Sequence, residues 1–208
     1  KLLKENNIVN SLISSIDIAP TLLEVAGVEV KDNFQGRSFY NLLKNPNHKF
    51  RNYVFAEHNW HDYESYQRMV RNDRYLYIVN SRPEFPQEGP LDAINSPTYI
   101  DLKTAQMNNT ITKIQAEIFI KPRQTEELYD LSNDPYQFNN LMLGSEIPKI
   151  YYTLKQKLEE WSIATGDNLP ENLTEDWYLR EPVKNTNGMK TKTSNKAKNY
   201  RIRGEMPG

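Results

Sequence analysis

Apolar residues recur at helical spacing near the start of the chain and again around residue 150. Over residues 16–26 they fall on one helical face, with Asp17 as a fitting N-cap and Gly27 as a fitting helix end. The same spacing over 147–164 predicts a long amphipathic helix that ends at Gly166. The first helix is short and its flanks are also apolar, so we expect it to pack against a larger body of protein.

Between these helices the pattern changes to short runs rich in aromatic and β-branched residues, which are typical of strands. Five such runs predict strands: 53–57, 66–71, 74–79, 116–120 and 127–131. Asn72-Asp73 predicts a tight hairpin turn, and 99–114 predicts a modest helix. Four prolines between 81 and 98 indicate a long loop. The predicted fold class is therefore α+β, a small antiparallel sheet packed on a long C-terminal helix.

Composition and charge narrow the class of protein. The 208 residues contain no cysteine, which excludes disulfides, thiolate metal sites and cysteine nucleophiles. No apolar stretch approaches the length of a membrane span, so we expect none. The net charge of -1 is uneven, because residues 181–208 hold seven Lys or Arg against two Glu. These residues lack apolar periodicity and are expected to form a basic, flexible tail.

The segment around two of the three histidines is the strongest candidate for chemistry. Glu57, His58, His61 and Asp62 follow or end a predicted strand, where loops commonly display functional groups. We expect this segment to bind a polar or anionic ligand. Two alternatives stay open: a metal site, for which no distant His or Cys completes a zinc set, and a surface loop without a role.

Other functional sequence motifs are absent or do not indicate a function. The phosphate-binding glycine motifs, the Gly-x-Ser-x-Gly nucleophile motif and the His-Glu-x-x-His metal motif are all absent. A nucleic-acid platform could be built from three tyrosines and three arginines: Tyr75, Tyr77, Tyr99, Arg68, Arg71 and Arg74. Alternating aromatic residues in a strand, however, usually lie in the core on one face of the sheet and at its rim on the other. We therefore expect no nucleic-acid partner.

Several segments, taken in order, carry a family resemblance. They are Ser14–Gly27, Gln35–Ser38, Arg71–Ile78, Glu127–Pro135 and Asn140-Leu141. Together they resemble the C-terminal part of a type I, formylglycine-dependent sulfatase. Three more segments resemble the heparan N-sulfatase branch, N-sulfoglucosamine sulfohydrolase: Phe55–His58, Asn95–Leu102 and Trp161–Asp167.

The resemblance implies an alkaline-phosphatase-like fold. Residues 1–50 would be the last elements of a large α/β domain, 51–180 the C-terminal domain of that fold, and 181–208 the tail. In the family, the nucleophile is a formylglycine made within Cys/Ser-x-Pro-x-Arg, beside a calcium ion. This sequence lacks that motif. We therefore expect formylglycine and calcium in a missing N-terminal domain of the parent, no metal or cofactor on this chain, and no turnover by the chain alone.

The resemblance also implies a substrate: a sulfate ester or sulfamate on a glycosaminoglycan-type sugar. His61, Asp62 and Arg68 match the family's substrate-pocket edge best, with Glu57 and His58 beside them. The spacing from His to Arg differs by one residue from the animal enzymes, which leaves the roles of His58 and His61 open. The parent would be exported, periplasmic or extracellular in a bacterium and lysosomal in animal relatives. The competing class is a non-catalytic carbohydrate-binding or interaction module, against which the apolar N-terminal helix argues.

Overall fold

The computed structural model describes residues 8–87 and 89–169, and these form two compact units. Unit 1 consists of three segments: 8–56, 69–78 and 128–163. Unit 2 consists of 57–68, 79–127 without residue 88, and 164–169. The domain boundaries at 50 and 180 stay predictions, and the basic tail lies outside the described residues.

Four strands form one antiparallel sheet in the order β1-β2-β3-β4. Their bounds are β1 Val54–Trp60, β2 Glu64–Arg71, β3 Tyr75–Asn80 and β4 Glu126–Asp130. Four of the five strand predictions and the α+β fold class are therefore confirmed. The Asn72-Asp73 turn is confirmed as well, since Asn72 Oδ1 accepts the backbone N–H groups of Arg74 (2.9 Å) and Tyr75 (2.6 Å).

The strand predicted over 116–120 is wrong, because Gln115–Phe119 is a 3-10 helix. A reciprocal pair of hydrogen bonds starts it. Thr112 N donates to Gln115 Oε1 (3.0 Å), and Gln115 N donates to Thr112 Oγ1 (3.3 Å). This is the capping-box arrangement, which satisfies two backbone donors at a helix start and outweighs the strand propensity of the following residues.

Five α-helices accompany the sheet: α1 Ile18–Val25, α2 Tyr40–Lys44, α3 Leu91–Ile94, α4 Pro97–Met107 and α5 Ile150–Thr165. The helix predicted over 99–114 is present as the shorter α4, which begins inside the predicted loop because Ser96 Oγ accepts from Tyr99 N (3.2 Å). Gly166 has a φ of +67° and ends α5 as predicted. No helix of the described residues is long and apolar enough to cross a membrane.

The core of unit 1 is apolar and centres on α5. Six side chains are almost completely buried: Val70, Tyr77, Leu128, Tyr151, Leu154 and Leu158. The Tyr77 and Tyr151 rings meet edge to face, with centroids 5.5 Å apart. The three buried side chains of α5, Tyr151, Leu154 and Leu158, lie on one helix face, as the amphipathic pattern over 147–164 predicts. Trp161 is only half-buried, and its ring stacks on Phe55 with centroids 5.4 Å apart.

The N-terminal helix is organised around a buried carboxylate rather than around its apolar stripe. Asp17 holds the N-cap position of α1, as predicted, but its side chain does not cap that helix. A 3-10 turn, Ser15–Asp17, precedes α1 and has Ser14 as its own N-cap. Asp17 is fully buried and accepts from Ser14 N (2.8 Å) and from Arg37 N (2.8 Å). Arg51 pairs with the same carboxylate through Nε (2.7 Å) and Nη2.

Two further features fix this region. Gly36 packs directly against the 3-10 turn, since a Cβ built there would lie 1.9 Å from the carbonyl oxygen of Ile16. The apolar stripe of α1 faces outward, with Ile18, Leu22 and Val25 each 45–62% exposed. The helix expected to pack against a larger body of protein therefore buries Pro20 and Thr21 beside Asp17 and leaves Ile18, Leu22 and Val25 open.

Candidate functional site

A cavity of about 330 Å³ lies within unit 2, on one side of β1 and β2. Its lining comprises His58, His61, Asp62, Tyr63, Ser65, Gln67, Gln87, Gly89, Pro90, Tyr99 and Ile118. His58 projects from β1, whereas His61 and Asp62 belong to the tight turn between the two strands. The cavity therefore combines imidazole, carboxylate, amide and hydroxyl groups with the ring of Tyr99, a mixture suited to a polar ligand with an apolar face.

The structure separates the five predicted site residues into two groups. His58, His61 and Asp62 line the cavity, whereas Glu57 and Arg68 face each other elsewhere, with Glu57 Oε2 3.7 Å from Arg68 Nη2. Successive residues of a strand point to opposite faces, so Glu57 and His58 cannot share a site. The predicted set of five does not form one cluster.

Asp62 organises the cavity rim. Its Oδ2 accepts from Leu91 N (2.7 Å) and lies 3.3 Å from His61 Nδ1. The Asp62 side chain is 18% exposed, whereas the His61 side chain is 67% exposed. Asp62 thus ties the β1–β2 turn to the start of α3, and it orients an imidazole that remains accessible to a ligand.

Arg68 is held by a carboxylate from the far end of the chain. Its Nε and Nη2 donate to the two oxygens of Asp167, both at 2.7 Å, and Nη1 donates to Gln67 O at 2.8 Å. The hydrogen bonds that Arg68 donates to Asp167 raise the pKa of Arg68 above its usual value, although burial alone would lower it. The positive φ of Gly166 precedes Asp167 directly. Arg68 as a substrate clamp stays a prediction, and its donors are engaged with Asp167 and Gln67.

A second buried arginine pair accompanies the first, and sequence reasoning missed it. Arg82 Nε donates to Glu64 Oε1 at 2.8 Å, and both side chains are largely buried. The Tyr66 ring lies against both guanidinium groups, 5.6 Å from that of Arg68 and 5.5 Å from that of Arg82. The alternation of Glu64, Tyr66 and Arg68 along β2 was the available signal, since all three occupy buried positions of one strand.

Sequence reasoning also missed the group that holds His58. Arg123 Nη2 donates to Gln87 Oε1 at 3.0 Å and lies 3.4 Å from Glu127 Oε1. The Gln67 side-chain amide lies 3.3 Å from His58 Nδ1, and its Nε2 donates to Asn80 Oδ1 at 2.7 Å. Gln67 therefore occupies Nδ1 of the imidazole and leaves Nε2 for a ligand.

The described residues do not form a metal centre. No three His, Asp or Glu side chains among residues 8–87 and 89–169 converge in a way that could hold a metal ion. The part of the chain that the structure describes therefore does not fit the calcium ion that the family resemblance implies. The cavity groups can bind, donate and accept hydrogen bonds.

The comparisons with known proteins agree on one class. Residues 1–85 match the family model described as N-sulphoglucosamine sulphohydrolase, C-terminal. An ulvan-active sulfatase of Formosa agariphila is 35% identical over 77% of this chain and 27% of its own length. Human arylsulfatase K is 29% identical over 72% of this chain and 22% of its own length.

The fold comparison is consistent with these sequence matches. The solved structure of a 2-O GAG sulfatase superimposes with a TM-score of 0.53 at 21% identity, over 80% of this chain and 29% of that one. This likeness confirms the fold expected for the sheet and its helices. The chain spans about a quarter of the length of the curated relatives named above.

Proposed function

We propose that this chain, which is the C-terminal region of a sulfatase, supplies one edge of the saccharide pocket of its parent enzyme. The observation that carries the proposal is the cavity in unit 2, where His58, His61 and Asp62 stand with Tyr99. A pyranose ring has hydroxyl groups at its edge and C–H bonds on its faces. Imidazole and carboxylate groups match the edge through hydrogen bonds, and an aromatic ring matches a face by stacking.

The hydrogen-bonding role of each side chain in the cavity follows from the contacts that it already makes. His58 presents Nε2 to a sugar hydroxyl, because Gln67 occupies Nδ1. Asp62 keeps a second carboxylate oxygen that accepts from sugar hydroxyl groups, because its contacts with Leu91 and His61 both fall on Oδ2. None of these groups is a nucleophile of the formylglycine type, so bond cleavage belongs to the remainder of the parent.

A second part of the proposal concerns what covers the outward face of α1. Ile18, Leu22 and Val25 form one exposed apolar stripe at helical spacing. Exposed apolar stripes of this kind mark surfaces that pack on other protein. We assign this stripe to the contact with the large α/β domain, which carries formylglycine and calcium in the family.

For the substrate, we propose a sulfated polysaccharide, cleaved at a sulfate ester or sulfamate of a glycosaminoglycan-type sugar. The family model named for N-sulphoglucosamine sulphohydrolase supports a heparan-like substrate with N-sulfoglucosamine. The relative at 35% identity favours a second candidate, a sulfated algal polysaccharide of the ulvan type. Both polymers are extracellular, so the proposal includes export of the parent.

The experiment compares two substrates in the full-length parent. His61→Ala should lower kcat/KM on a sulfated oligosaccharide by about 2- to 10-fold, the value of one hydrogen bond. On a small aryl sulfate the variant should match the wild type, because that substrate lacks the sugar that His61 contacts. Tyr152→Ala, an exposed tyrosine of unit 1, is the matched control and should leave both rates unchanged.

The outcomes separate the candidates. Turnover of an N-sulfated heparan oligosaccharide but not of ulvan supports the heparan branch, and the reverse supports the ulvan type. Equal loss on both kinds of substrate would place His61 outside the sugar site and contradict the proposed pocket edge. A parent that binds saccharide without any sulfatase activity would establish the alternative, a non-catalytic carbohydrate-binding module. Activity of the 208-residue chain alone would contradict the assignment of cleavage to the remainder.

A further inference from the structure

Unit 1 contains a groove of its own, which the proposed function does not use. Its volume is about 310 Å³. It is lined by Lys49, Asn52, Tyr53, Asn72, Asp73, Arg74, Tyr75 and Ile150. Two cations, one carboxylate, two amides and two tyrosines thus surround one open space, and each belongs to the same unit. A groove of this composition offers donors and positive charge at its rim and aromatic area on its walls.

Arg74 is fixed in position before any ligand arrives. Its Nε and Nη2 donate to the two oxygens of the buried Asp130, at 2.9 and 2.6 Å. Its guanidinium carbon lies 4.9 Å from the centroid of the Tyr75 ring, so stacking holds the same group from another side. Nη1 keeps two N–H donors that no residue in the described ranges accepts. A guanidinium held in this way binds an oxyanion without first losing side-chain freedom.

Lys49 is the second cation, and its present partner is weak. Its Nζ lies 3.3 Å from Asp73 Oδ2, and the two side chains are 64% and 59% exposed. Ion pairs at such exposure contribute little stability, since water screens them. The ammonium of Lys49 can therefore leave Asp73 for a ligand anion at small cost, whereas Arg74 stays where Asp130 holds it.

We propose that this groove binds an anionic saccharide unit, a pyranose ring that carries a carboxylate or a sulfate group. Lys49 and Arg74 take the anionic group, Tyr53 offers a ring face for stacking, and Asn52 reaches the sugar hydroxyl groups. The proposal shares its ligand class with the proposed function, but none of these residues lines the cavity of unit 2.

The test is an NMR titration of the ¹⁵N-labelled 208-residue chain with a size-defined ulvan oligosaccharide. Lys49→Ala should weaken binding by about 10-fold or more, as the loss of a charged hydrogen bond does. Asp73→Asn should strengthen binding, because it removes the competing carboxylate and asparagine suits the turn. Opposite effects from two neighbouring residues are not expected from damage to the fold. Lys103→Ala, an exposed lysine of unit 2, is the matched control and should bind as the wild type does.

Further arms define the ligand. The chemically desulfated oligosaccharide retains its uronate carboxylates. If it binds, the groove recognises the carboxylate; if it does not bind, the groove recognises the sulfate group. Either result supports the proposal. Inorganic sulfate that binds as tightly as the oligosaccharide would overturn the saccharide assignment. Unchanged affinity in Lys49→Ala and Asp73→Asn, with loss only in His61→Ala, would overturn the groove and leave the proposed function intact. Loss only in the groove variants would support the groove and count against the cavity.

Discussion

Unit 1 and unit 2 have different interiors. In unit 1 the core around α5 is apolar, with Val70, Leu128 and Leu154 completely inaccessible to solvent, and the buried carboxylates Asp17 and Asp130 are paired with arginines outside this apolar set. In unit 2 the buried side chains include Arg68 and Glu64, which are paired with Asp167 and Arg82 around one tyrosine ring. The unit that carries the candidate saccharide cavity thus has its interior organised by ion pairs.

The difference has a physical meaning. Apolar burial contributes roughly 25 cal/mol per Å² and depends little on direction, so it stabilises a fold without fixing individual polar groups. A buried ion pair loses hydration that its Coulomb attraction only partly returns, but its bidentate geometry holds two side chains in one orientation. Unit 2 therefore gains defined positions for the strands beside the cavity, and unit 1 gains stability.

The largest effect should come from the apolar interior. Leu154→Ala in unit 1 should lower the free energy of unfolding by about 2–5 kcal/mol, because it removes a buried side chain and leaves a cavity. Leu143→Ala is the matched control, since Leu143 is 66% exposed. Its change should stay within about 0.5 kcal/mol in the same urea unfolding experiment. Equal effects of the two substitutions would show that α5 does not pack as described.

The next effect should come from the ion pair in unit 2. Asp167→Asn should cost about 2–4 kcal/mol of unfolding free energy, because Arg68 then keeps a buried charge without its carboxylate. The double variant Arg68→Met with Asp167→Leu should recover most of this loss, since apolar side chains need no partner. Urea unfolding of the single and double variants measures both. A single variant as stable as the wild type would mean that Arg68 is available to a substrate, as the family resemblance predicts.

A smaller effect should appear as a pH dependence within unit 1. The hydrogen bond from Arg74 lowers the pKa of Asp130 from 3.8 to about 2. The unfolded chain therefore binds a proton on this carboxyl at a higher pH than the folded chain does. The stabilisation by Asp130 is complete above about pH 4 and is lost as the pH falls toward 2. In Asp130→Asn, the Tm should therefore fall less steeply as the pH is lowered from about 4 to 2. Asp32→Asn, at an exposed position, should leave this pH dependence unchanged.

The smallest effect on stability should come from the rim of the cavity. His61 is 67% exposed, so His61→Asn should change the free energy of unfolding by less than about 0.5 kcal/mol. His48→Asn, an exposed histidine of unit 1, is the control for the general effect of losing an imidazole. A marked destabilisation by His61→Asn alone would show that the rim of unit 2 is part of its framework.

Much of the sheet could be predicted from the sequence, because strand signals are local. The Asn72-Asp73 turn and the runs around it depend on neighbouring residues, and the structure confirms them. The 3-10 helix at Gln115–Phe119 was missed because the Thr112 capping box was not weighed against β-branched content. Two local signals competed there, the capping box for a helix and the apolar run for a strand, and the strand was predicted wrongly.

The candidate site could be predicted only in part. His58, His61 and Asp62 share the cavity because one strand end and one turn bring them together. Glu57 could have been separated from His58 by alternation alone. The pairing of Arg68 with Asp167 could not be predicted, since the two residues are 99 positions apart and nothing local specifies which carboxylate meets a given arginine. The boundaries of the domains and the substrate role of Arg68 stay predictions.

Gly36 has a consequence for how this chain can vary. Glycines are usually retained where the backbone needs a positive φ, and they tolerate alanine elsewhere. Position 36 is different, because any side chain would begin 1.9 Å from the Ile16 carbonyl oxygen, which belongs to rigid backbone. A side chain at this buried position is therefore excluded by a steric clash rather than by the backbone conformation. Among homologous sequences a glycine here marks the contact with the Asp17 turn, and its replacement would signal that the turn itself has been rebuilt.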